Sequence, residues 1–535
     1  MTPPNKPHTV HIETFGCQMN EYDSELVRTL LRKAGFEFTE DRERADVMLM
    51  NTCAIRENAH NKVYGHLAEL KAVKEQRPLV VGVLGCMAQN LKEELTEKQP
   101  LVDVLVGPDG YRQLPGLLTN ALNAEEQGLA RRGLAVDLSE YETYDDILPE
   151  RDGGCNAWIA IMRGCDNFCS FCVVPYTRGR ERSRDPQGIL REVEVSVEAG
   201  HTQITLLGQN VNSYRYDDWD FARLILAVAE VPGVQRVRFT SPHPKDFPAA
   251  LLDAVAGHPN ICKHIHLPLQ SGNDRILELM NRTYSRKEYL DLAATIRRRH
   301  PGIALTTDII CGFCSETEDE FLDTFRVVEE VQYHSAYVFK YSERKNTIAA
   351  RKFPDDVPEA VKGERVSRLV DLQRPVTARI NRELIGQTLP VMVEGDSKRS
   401  ADQWMGRTDS GTYVIWNKSD APATLGSIQP ITILDGSAAE GINTLGIIAH
   451  HTNVLKTRGQ LFDDDVLRKI GILILIDHKV LETIMKIFEH FWYVDDISKA
   501  KKEIIEIECI FFFEFSSIGL VDFENDGGDI AIDSC

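Results

Sequence analysis

The residues with the clearest chemical potential are three cysteines in one short stretch, Cys165, Cys169 and Cys172. Their Cys-x3-Cys-x2-Cys spacing puts three thiolates on one loop, which can hold three irons of a [4Fe–4S] cluster that four cysteines normally bind. One iron then lacks a protein ligand, and an open coordination position is what a catalytic metal needs. A closed zinc site needs a fourth ligand nearby, but the next histidine, His201, lies beyond a predicted helix. The spacing therefore favours a catalytic iron–sulfur cluster over structural zinc.

Three further cysteines occupy equivalent places in the first part of the chain. Cys17, Cys53 and Cys86 each come directly after a short β-rich run, and helical patterns separate these runs. Such alternation predicts a parallel sheet, in which ligands bind beyond the carboxyl ends of the strands. A single cysteine of this kind is more often a small buried hydrophobe. Three at equivalent positions predict a second metal site formed by three thiolates.

The elements that position these cysteines predict an α/β protein in several parts. Residues 8–125 predict a doubly wound parallel sheet, and the polar, acidic segment 126–150 is interpreted as a linker. Six β/α units in 151–380 predict a (β/α)6 partial barrel, with its chemistry at the strand carboxyl ends. Short β runs broken by turn residues in 381–446 predict a small antiparallel β-barrel. Residues 447–535 form an unassigned extension.

Length, charge and cysteine content limit the class of protein that the chain can be. The chain has 535 residues, a formal charge of −20 and 12 cysteines, so three or four domains are expected. No run approaches the roughly 18 apolar residues of a membrane span, and the first residues carry no pattern of a targeting peptide. These features predict a cytoplasmic protein, whose cysteines more often bind metal or lie buried than form disulfides. The extension contributes −8 of the charge, so the charge of the remaining chain leaves room for a local basic patch that binds nucleic acid.

Longer motifs around the cysteines give the sequence from residue 8 to 446 a specific resemblance. It resembles the radical S-adenosylmethionine methylthiotransferase family, and within it the branch that acts on N6-isopentenyladenosine in tRNA. The small barrel is similar to the TRAM domain of that family. The motifs that carry the resemblance are Thr14-Phe-Gly-Cys-Gln-Met-Asn20, Asn51-Thr-Cys-Ala-Ile-Arg56, Gly85-Cys-Met-Ala-Gln89, Met162-Arg-Gly-Cys-Asp-Asn-Phe-Cys-Ser-Phe-Cys172, Gly179-Arg-Glu-Arg-Ser-Arg184, Leu207-Gly-Gln-Asn-Val-Asn-Ser-Tyr214, Ser241-Pro-His-Pro244 and His266-Leu-Pro-Leu-Gln-Ser-Gly272.

The resemblance implies a two-cluster reaction. Cys17, Cys53 and Cys86 would hold an auxiliary [4Fe–4S] cluster that carries the sulfur to be transferred. Cys165, Cys169 and Cys172 would hold the cluster at which S-adenosylmethionine is cleaved to a 5′-deoxyadenosyl radical, while a second S-adenosylmethionine methylates the sulfur. A methylthio group would then replace the C2 hydrogen of N6-isopentenyladenosine at position 37 of tRNA. The alternatives are threonylcarbamoyl-adenosine in tRNA or a ribosomal protein as substrate, and an iron–sulfur tRNA-binding protein without catalysis.

Further residues are candidates for cofactor and substrate contacts. Polar groups at the ends of barrel strands would face a bound ligand, and the aromatic residue before the last cysteine lies near the adenine in the family. The predicted S-adenosylmethionine or substrate contacts are Phe171, Gln209, Asn210, Ser241, His243 and Gln270. The resemblance also implies partners: the anticodon loop of tRNA, an electron donor such as flavodoxin or ferredoxin, and iron–sulfur assembly proteins. No membrane partner is expected.

Four alternate arginines, Arg178, Arg180, Arg182 and Arg184, follow the cysteine loop. A solvated charged loop would account for them equally well without the family resemblance. Because arginine suits phosphate contacts, we expect them to bind tRNA phosphates, so that removing one weakens binding and lowers its salt dependence.

The remaining cysteines have no assigned role. Cys311 and Cys314 form a Cys-x2-Cys pair, but no second pair accompanies it, so a buried pair is favoured over zinc or redox chemistry.

Overall fold

A computed structural model gives the architecture of the chain. It describes residues 7–54, 57–127, 129, 132–151, 153–419, 422–436 and 446–448. The chain divides into two units, Met1–Thr452 and Asn453–Cys535, and all the described residues belong to the first. The predicted extension therefore lies outside the described residues beyond Ile448. None of the helices in the described ranges combines the length and the apolar composition that a membrane-spanning segment requires.

The N-terminal part is an open parallel sheet of six strands in the order β2-β1-β3-β4-β5-β6. Its central strands are mostly apolar and are buried on both faces, as parallel sheets require. The strands are β1 Thr9–Phe15, β2 Glu37–Phe38, β3 Val47–Thr52, β4 Val80–Leu84, β5 Val104–Val106 and β6 Gly133–Ala135. The helices are α1 Gln18–Lys33, α2 Glu57–Gln76, α3 Cys86–Leu91, α4 Glu93–Lys98 and α5 Leu114–Glu126. The predicted doubly wound sheet is confirmed.

The segment predicted as a linker is instead part of the packed structure. Strand β6 lies within it and pairs in parallel with β5, Val104 opposite Gly133. Tyr144 is fully buried, and its hydroxyl donates to the carbonyl oxygen of Pro108 at 3.0 Å. A three-residue strand and isolated buried aromatics carry too little periodicity for a sequence pattern to reveal, so acidic composition alone misled the prediction.

The central part is the predicted partial barrel. Two three-stranded parallel sheets, β13-β10-β7 and β14-β15-β16, meet at a bridge between Val237 and Ile261. The strands are β7 Asn156–Ala160, β8 Met162–Arg163, β9 Arg182–Ser183, β10 Gln203–Leu207, β11 Arg215–Tyr216, β12 Trp219–Asp220, β13 Arg236–Phe239, β14 His264–His266, β15 Ala304–Cys311 and β16 Ser335–Lys340. The helices are α6 Val174–Thr177, α7 Pro186–Glu198, α8 Phe221–Glu230, α9 Ala249–Gly257, α10 Asp274–Leu279, α11 Arg286–Arg299, α12 Glu318–Val331, α13 Ile348–Lys352 and α14 Glu359–Arg382.

The last described part is a small sheet in the order β20-β17-β18-β19-β21. Its strands are β17 Thr388–Ser397, β18 Ser400–Thr408, β19 Tyr413–Asn417, β20 Ile428–Thr432 and β21 Gly446–Ile448. All pairings are antiparallel except that of β19 with β21, and Trp416 is buried in its core. The sheet docks on the beginning of the barrel strands. Arg236, the first residue of β13, donates to the carbonyl oxygen of Pro390 at 2.6 Å.

Candidate active site

The first cysteine triad lies where three adjacent strands end. Cys17 follows β1, Cys53 follows β3 and Cys86 follows β4, and these strands are neighbours in the sheet. The loops approach so closely that a Cβ on Gly16, whose φ is +133°, would stand 2.6 Å from the Cβ of Cys53. Only glycine fits this backbone. Cys17, Cys53 and Cys86 thus lie at one edge of the sheet, and the loops that carry Cys17 and Cys53 are in contact. That the three cysteines hold one metal cluster stays a prediction.

A buried arginine from the barrel completes this triad. The Nε of Arg178 donates to the Sγ of Cys86 at 3.2 Å, and its Nη2 donates to the Oδ2 of Asp23 at 2.8 Å. The pKa of Cys17 is lowered to about 6, first by a hydrogen bond with Cys53 and then, against the opposing effect of burial, by the charge of Arg178. Burial raises the pKa of the Cys86 thiol. The site therefore combines a thiolate-favouring cysteine with a fixed cation.

The second triad is local. Cys165, Cys169 and Cys172 lie on the loop between β8 and α6, and the backbone nitrogen of Cys165 donates to the carbonyl oxygen of Gly179. Gly164, at φ +80°, has no room for a side chain, since a Cβ there would stand 1.9 Å from the oxygen of Arg180. Burial raises the pKa of Cys165 and of Cys172 to about 12 each.

A second buried arginine donates a hydrogen bond to this triad. The Nη1 of Arg282 donates to the Sγ of Cys169 at 3.2 Å, and its Nε donates to the hydroxyl oxygen of Tyr284 at 3.1 Å. Each cysteine triad therefore has one guanidinium group within hydrogen-bond distance of a sulfur. Cationic donors of this kind stabilise the negative charge of metal-bound thiolates.

One carboxylate links the surroundings of the two triads. Asp23, on α1, is fully buried and accepts from Arg178 and also from the Nη2 of Arg163 at 2.8 Å. Arg163 stands two residues before Cys165, and its guanidinium lies 4.7 Å from the ring centroid of Tyr144. The N-terminal sheet and the cysteine loop of the barrel are thus joined through buried, paired charges.

Several polar residues predicted to touch S-adenosylmethionine have unsatisfied groups. The Oδ1 of Asn210, the Nε2 of His243 and the Oε1 of Gln270 are buried and have no partner among the described residues. Such groups are costly unless something binds them. Burial also lowers the pKa of His243 to about 2, which keeps its imidazole neutral. These atoms and the two triads fit a polar cofactor bound beside clusters.

The other predicted contacts have local partners or strained backbone. The Oε1 of Gln209 accepts from the backbone nitrogen of Gly164 at 2.7 Å, which fixes the cysteine loop. Ser241 has φ +57° and Gln270 has φ +65°, a region that non-glycine residues rarely adopt. Phe171 is partly buried against Phe313 and its neighbours. The backbone is therefore held in an unusual conformation at Ser241 and Gln270.

The four arginines of the 178–184 stretch do not share one environment, contrary to the prediction of a common role in binding phosphates. Arg182 is bound to Asp109 at 2.9 Å and Arg184 to Asp145 at 2.6 Å, both buried, as is Arg178. Arg180 alone of the four is exposed, with 69% of its side chain accessible and its guanidinium over the ring of Phe168. Three of the four arginines thus bind acidic residues inside the protein, whereas Arg180 pairs with Asp166 at the surface, at 3.4 Å.

Sequence reasoning missed Asp23, Arg163 and Arg282. A signal existed for Asp23, which lies on the apolar face of α1 among Met19, Leu26 and Val27. A lone carboxylate on such a face implies a buried cationic partner. No comparable pattern marks Arg282, whose contact with Cys169 joins residues 113 positions apart.

The other described cysteines lie away from these sulfur contacts. Cys155, Cys262, Cys311 and Cys314 are buried and carry no disulfide. Burial raises the pKa of Cys155 to about 11. The interpretation of Cys311 and Cys314 as a buried pair agrees with this placement.

Comparison with known proteins adds three family matches. Residues 9–107 match Uncharacterized protein family UPF0004, residues 159–328 match the Radical SAM superfamily, and residues 382–441 match the TRAM domain. The matches cover the parallel sheet, the barrel and the small antiparallel sheet in turn.

Curated relatives match over most of the chain. A protein of Porphyromonas gingivalis named tRNA-2-methylthio-N(6)-dimethylallyladenosine synthase is 47% identical over 440 residues, 80% of this chain and 93% of the relative. A protein of Chloroherpeton thalassium with the same name is 45% identical, over 81% of this chain and 95% of the relative. The solved radical S-adenosylmethionine methyltransferase TsrM of Kitasatospora setae gives a TM-score of 0.50 at 14% identity, over 64% of this chain and 74% of that one. This last likeness concerns the fold alone.

Proposed function

Because the chain belongs to the family of tRNA-2-methylthio-N6-dimethylallyladenosine synthases, we propose the reaction and the residue roles that follow. The protein is a radical S-adenosylmethionine enzyme that transfers a methylthio group to C2 of N6-isopentenyladenosine in tRNA. The base it modifies stands at position 37. The observation that carries this function is the identity of 45–47% to relatives of that name along nearly their whole length.

The enzyme uses S-adenosylmethionine and [4Fe–4S] clusters. When bound, these groups supply the radical that removes a hydrogen atom and the sulfur that takes its place. Cys165, Cys169 and Cys172 would hold the cluster that binds S-adenosylmethionine. Cys17, Cys53 and Cys86 would hold the auxiliary cluster.

The chain itself contributes position and charge. Arg178 and Arg282 each present an N–H group to one cysteine sulfur of a triad, so they stabilise the thiolate form that binds iron. Asp23 neutralises part of the buried positive charge and fixes Arg163 and Arg178 in one arrangement. A fixed relation between the triads is what a reaction needs when the target atom must meet groups from both.

Ligand contacts follow from the unsatisfied and strained groups. Asn210, His243 and Gln270 would donate to or accept from S-adenosylmethionine or the substrate base, since their side chains have buried atoms without partners. Ser241 and Phe171 would line the same site. Gln209 would act by holding the cysteine loop at Gly164.

The tRNA contacts would come from two places. Arg180 is exposed beside the cysteine loop and would bind a phosphate of the anticodon loop, while the TRAM domain supplies a second tRNA-binding surface. The remaining partners are an electron donor such as flavodoxin or ferredoxin and the iron–sulfur assembly proteins. With tRNA as substrate, the protein would act in the cytoplasm.

An anaerobic assay tests this function. The reconstituted, reduced protein is incubated with S-adenosylmethionine, a sulfur source and an anticodon stem-loop that contains N6-isopentenyladenosine. We expect 5′-deoxyadenosine and the 2-methylthio nucleoside, both identified by mass spectrometry. Absence of 5′-deoxyadenosine would contradict the radical reaction. If 5′-deoxyadenosine forms but the methylthio product appears only with threonylcarbamoyl-adenosine or a ribosomal protein, the proposed substrate is wrong.

A further inference from the structure

The inner face of the second barrel sheet carries an unusual set of side chains. In the parallel register of β14, β15 and β16, His266 stands opposite Thr306, Asp308 opposite Tyr337 and Ile310 opposite Phe339. Paired residues of neighbouring strands point to the same face of a sheet. The alternate residues, such as Ile265, Leu305 and Ile309, belong to the buried core between the strands and the helices. The face with the aromatic residues is therefore the concave, inner one.

Two aromatic residues are open on this face. Tyr337 is 43% and Phe339 51% accessible, and both lie on β16, the edge strand of its sheet. A barrel interior normally buries such side chains. Two adjacent exposed aromatic groups inside a partial barrel form a surface of the kind on which unstacked bases and apolar groups are held.

Polar groups border the aromatic pair. The Nε2 of His266 and the Oδ2 of Asp308 are 3.3 Å apart. Gln270 lies beside them, since its backbone nitrogen donates to the carbonyl oxygen of Asp308 and its own carbonyl oxygen accepts from Ile310, each at 2.9 Å. The Oε1 of Gln270 is buried without a partner among the described residues. A side-chain amide in this state is available to read the edge of a base.

The face is continuous with the cysteine loop. Ile310, at the end of β15, packs against the same apolar cluster as Phe171, the residue before Cys172. Phe313 and Tyr341 form the core of that cluster. A group held against Phe339 therefore lies on the surface that leads to the second triad.

We propose that this inner face recognises a purine base with an apolar alkenyl group on N6, an inference that rests on the proposed function. Phe339 and Tyr337 bind the base and its alkenyl group, and Gln270 binds the edge of the base. Asp308 selects against a substituent with its own carboxylate, because like charges brought together at a binding site repel each other. The face thus distinguishes isopentenyl from threonylcarbamoyl groups and from unmodified adenosine.

Binding measurements with three RNAs test the proposal without any turnover. Anticodon stem-loops with adenosine, N6-isopentenyladenosine or threonylcarbamoyl-adenosine at position 37 are titrated against the reconstituted protein by fluorescence anisotropy. Phe339→Ser should reduce the preference for isopentenyladenosine over adenosine about tenfold, because an apolar contact of this size is lost. Phe339→Leu should keep most of the preference. Asp308→Asn should raise the relative affinity for threonylcarbamoyl-adenosine about tenfold.

Matched controls come from the outer helices. Val195, on α7, is an exposed apolar residue, and Asp253, on α9, is an exposed acid paired with Arg299. Val195→Ser and Asp253→Asn should change none of the three affinities. Iron content and the midpoint of thermal unfolding verify that each variant is folded and loaded.

The outcomes distinguish an error in the proposed substrate from an error in the proposed binding face. A wild-type protein without preference for isopentenyladenosine would overturn the proposed substrate, and with it this proposal. A wild-type preference that Phe339→Ser and Tyr337→Leu leave unchanged would overturn the proposal alone. An equal loss of affinity for all three RNAs would do the same, since it would assign these residues to general RNA binding.

Discussion

The two cysteine triads differ in how the chain assembles them. Cys165, Cys169 and Cys172 lie within eight residues of one loop, so the local sequence suffices to bring them together. Cys17, Cys53 and Cys86 follow three separate strands, and only the folded parallel sheet makes them neighbours. The first kind of site can be found from spacing alone, whereas the second depends on the stability and register of a whole domain.

The triads also differ in charge. Cys17 has a pKa lowered to about 6, because Cys53 hydrogen-bonds to it and Arg178 is near, whereas burial raises the pKa of Cys165 and Cys172 to about 12. In the metal-free protein at neutral pH, Cys17 is therefore a thiolate, whereas Cys165 and Cys172 are neutral thiols. Iron must displace protons from the second site.

The largest expected effect separates the roles of the triads. Cys169→Ala should abolish both 5′-deoxyadenosine and the methylthio product, because the cluster that binds S-adenosylmethionine is lost. Cys86→Ala should abolish the product and leave measurable 5′-deoxyadenosine. Each variant should keep about four of roughly eight irons per chain. The checks are iron analysis and mass spectrometry of both products, and loss of 5′-deoxyadenosine in Cys86→Ala would show that the triads depend on each other.

The next effect tests the carboxylate shared by both sites. Asp23→Asn removes the carboxylate that pairs with the two buried guanidinium groups of Arg163 and Arg178, so the free energy of unfolding should fall by about 3–5 kcal/mol. Denaturant unfolding of the metal-free protein measures it. The matched control is Asp253→Asn in the exposed pair with Arg299, where we expect a change below about 1 kcal/mol. Equal effects in the two variants would contradict a structural role for the buried network.

A smaller effect compares the reactivity of two cysteines. Cys17 and Cys172 are both partly exposed, but only Cys17 is a thiolate near pH 7.5, since that pH lies above about 6 and below about 12. Iodoacetamide should therefore modify Cys17 more than about tenfold faster in the metal-free protein. Peptide mass spectrometry follows the rates. Lowering the pH through 6 should remove the difference, and equal rates at pH 7.5 would refute the contrast.

The smallest effect distinguishes the exposed arginine from its buried neighbours. Arg180→Ala should weaken tRNA binding severalfold and reduce the slope of log affinity against log salt by about one. Arg182→Ala should instead lower the midpoint of thermal unfolding, because it removes the partner of buried Asp109. Anisotropy at several salt concentrations and calorimetry give both quantities. A lowered salt slope in Arg182→Ala without loss of stability would restore the interpretation of the whole stretch as a phosphate-binding element.

Much of the fold was predictable because it follows periodic rules. Buried strands between amphipathic helices predicted the parallel sheet and the barrel, and the positions of three cysteines directly after β1, β3 and β4 placed them at one edge of that sheet. The short strand β6 and the buried Tyr144 escaped prediction, since neither produces a periodic pattern.

The charges of the site were less predictable. Arg182 and Arg184 look like a nucleic-acid motif in sequence, yet their partners Asp109 and Asp145 lie 73 and 39 residues away. A sequence pattern reports how many charges a segment has. It does not report which of them a distant acid will bury, because that depends on tertiary contacts.

The shared carboxylate of Asp23 also constrains how the protein can evolve. A substitution there removes the carboxylate that pairs with two cations, Arg163 and Arg178, and a substitution of either arginine changes the charge around the other. The three positions should therefore change together among relatives or remain fixed together. Lineages that alter one of them should carry a compensating exchange at another, which makes covariation at these positions a record of the contact between the two domains.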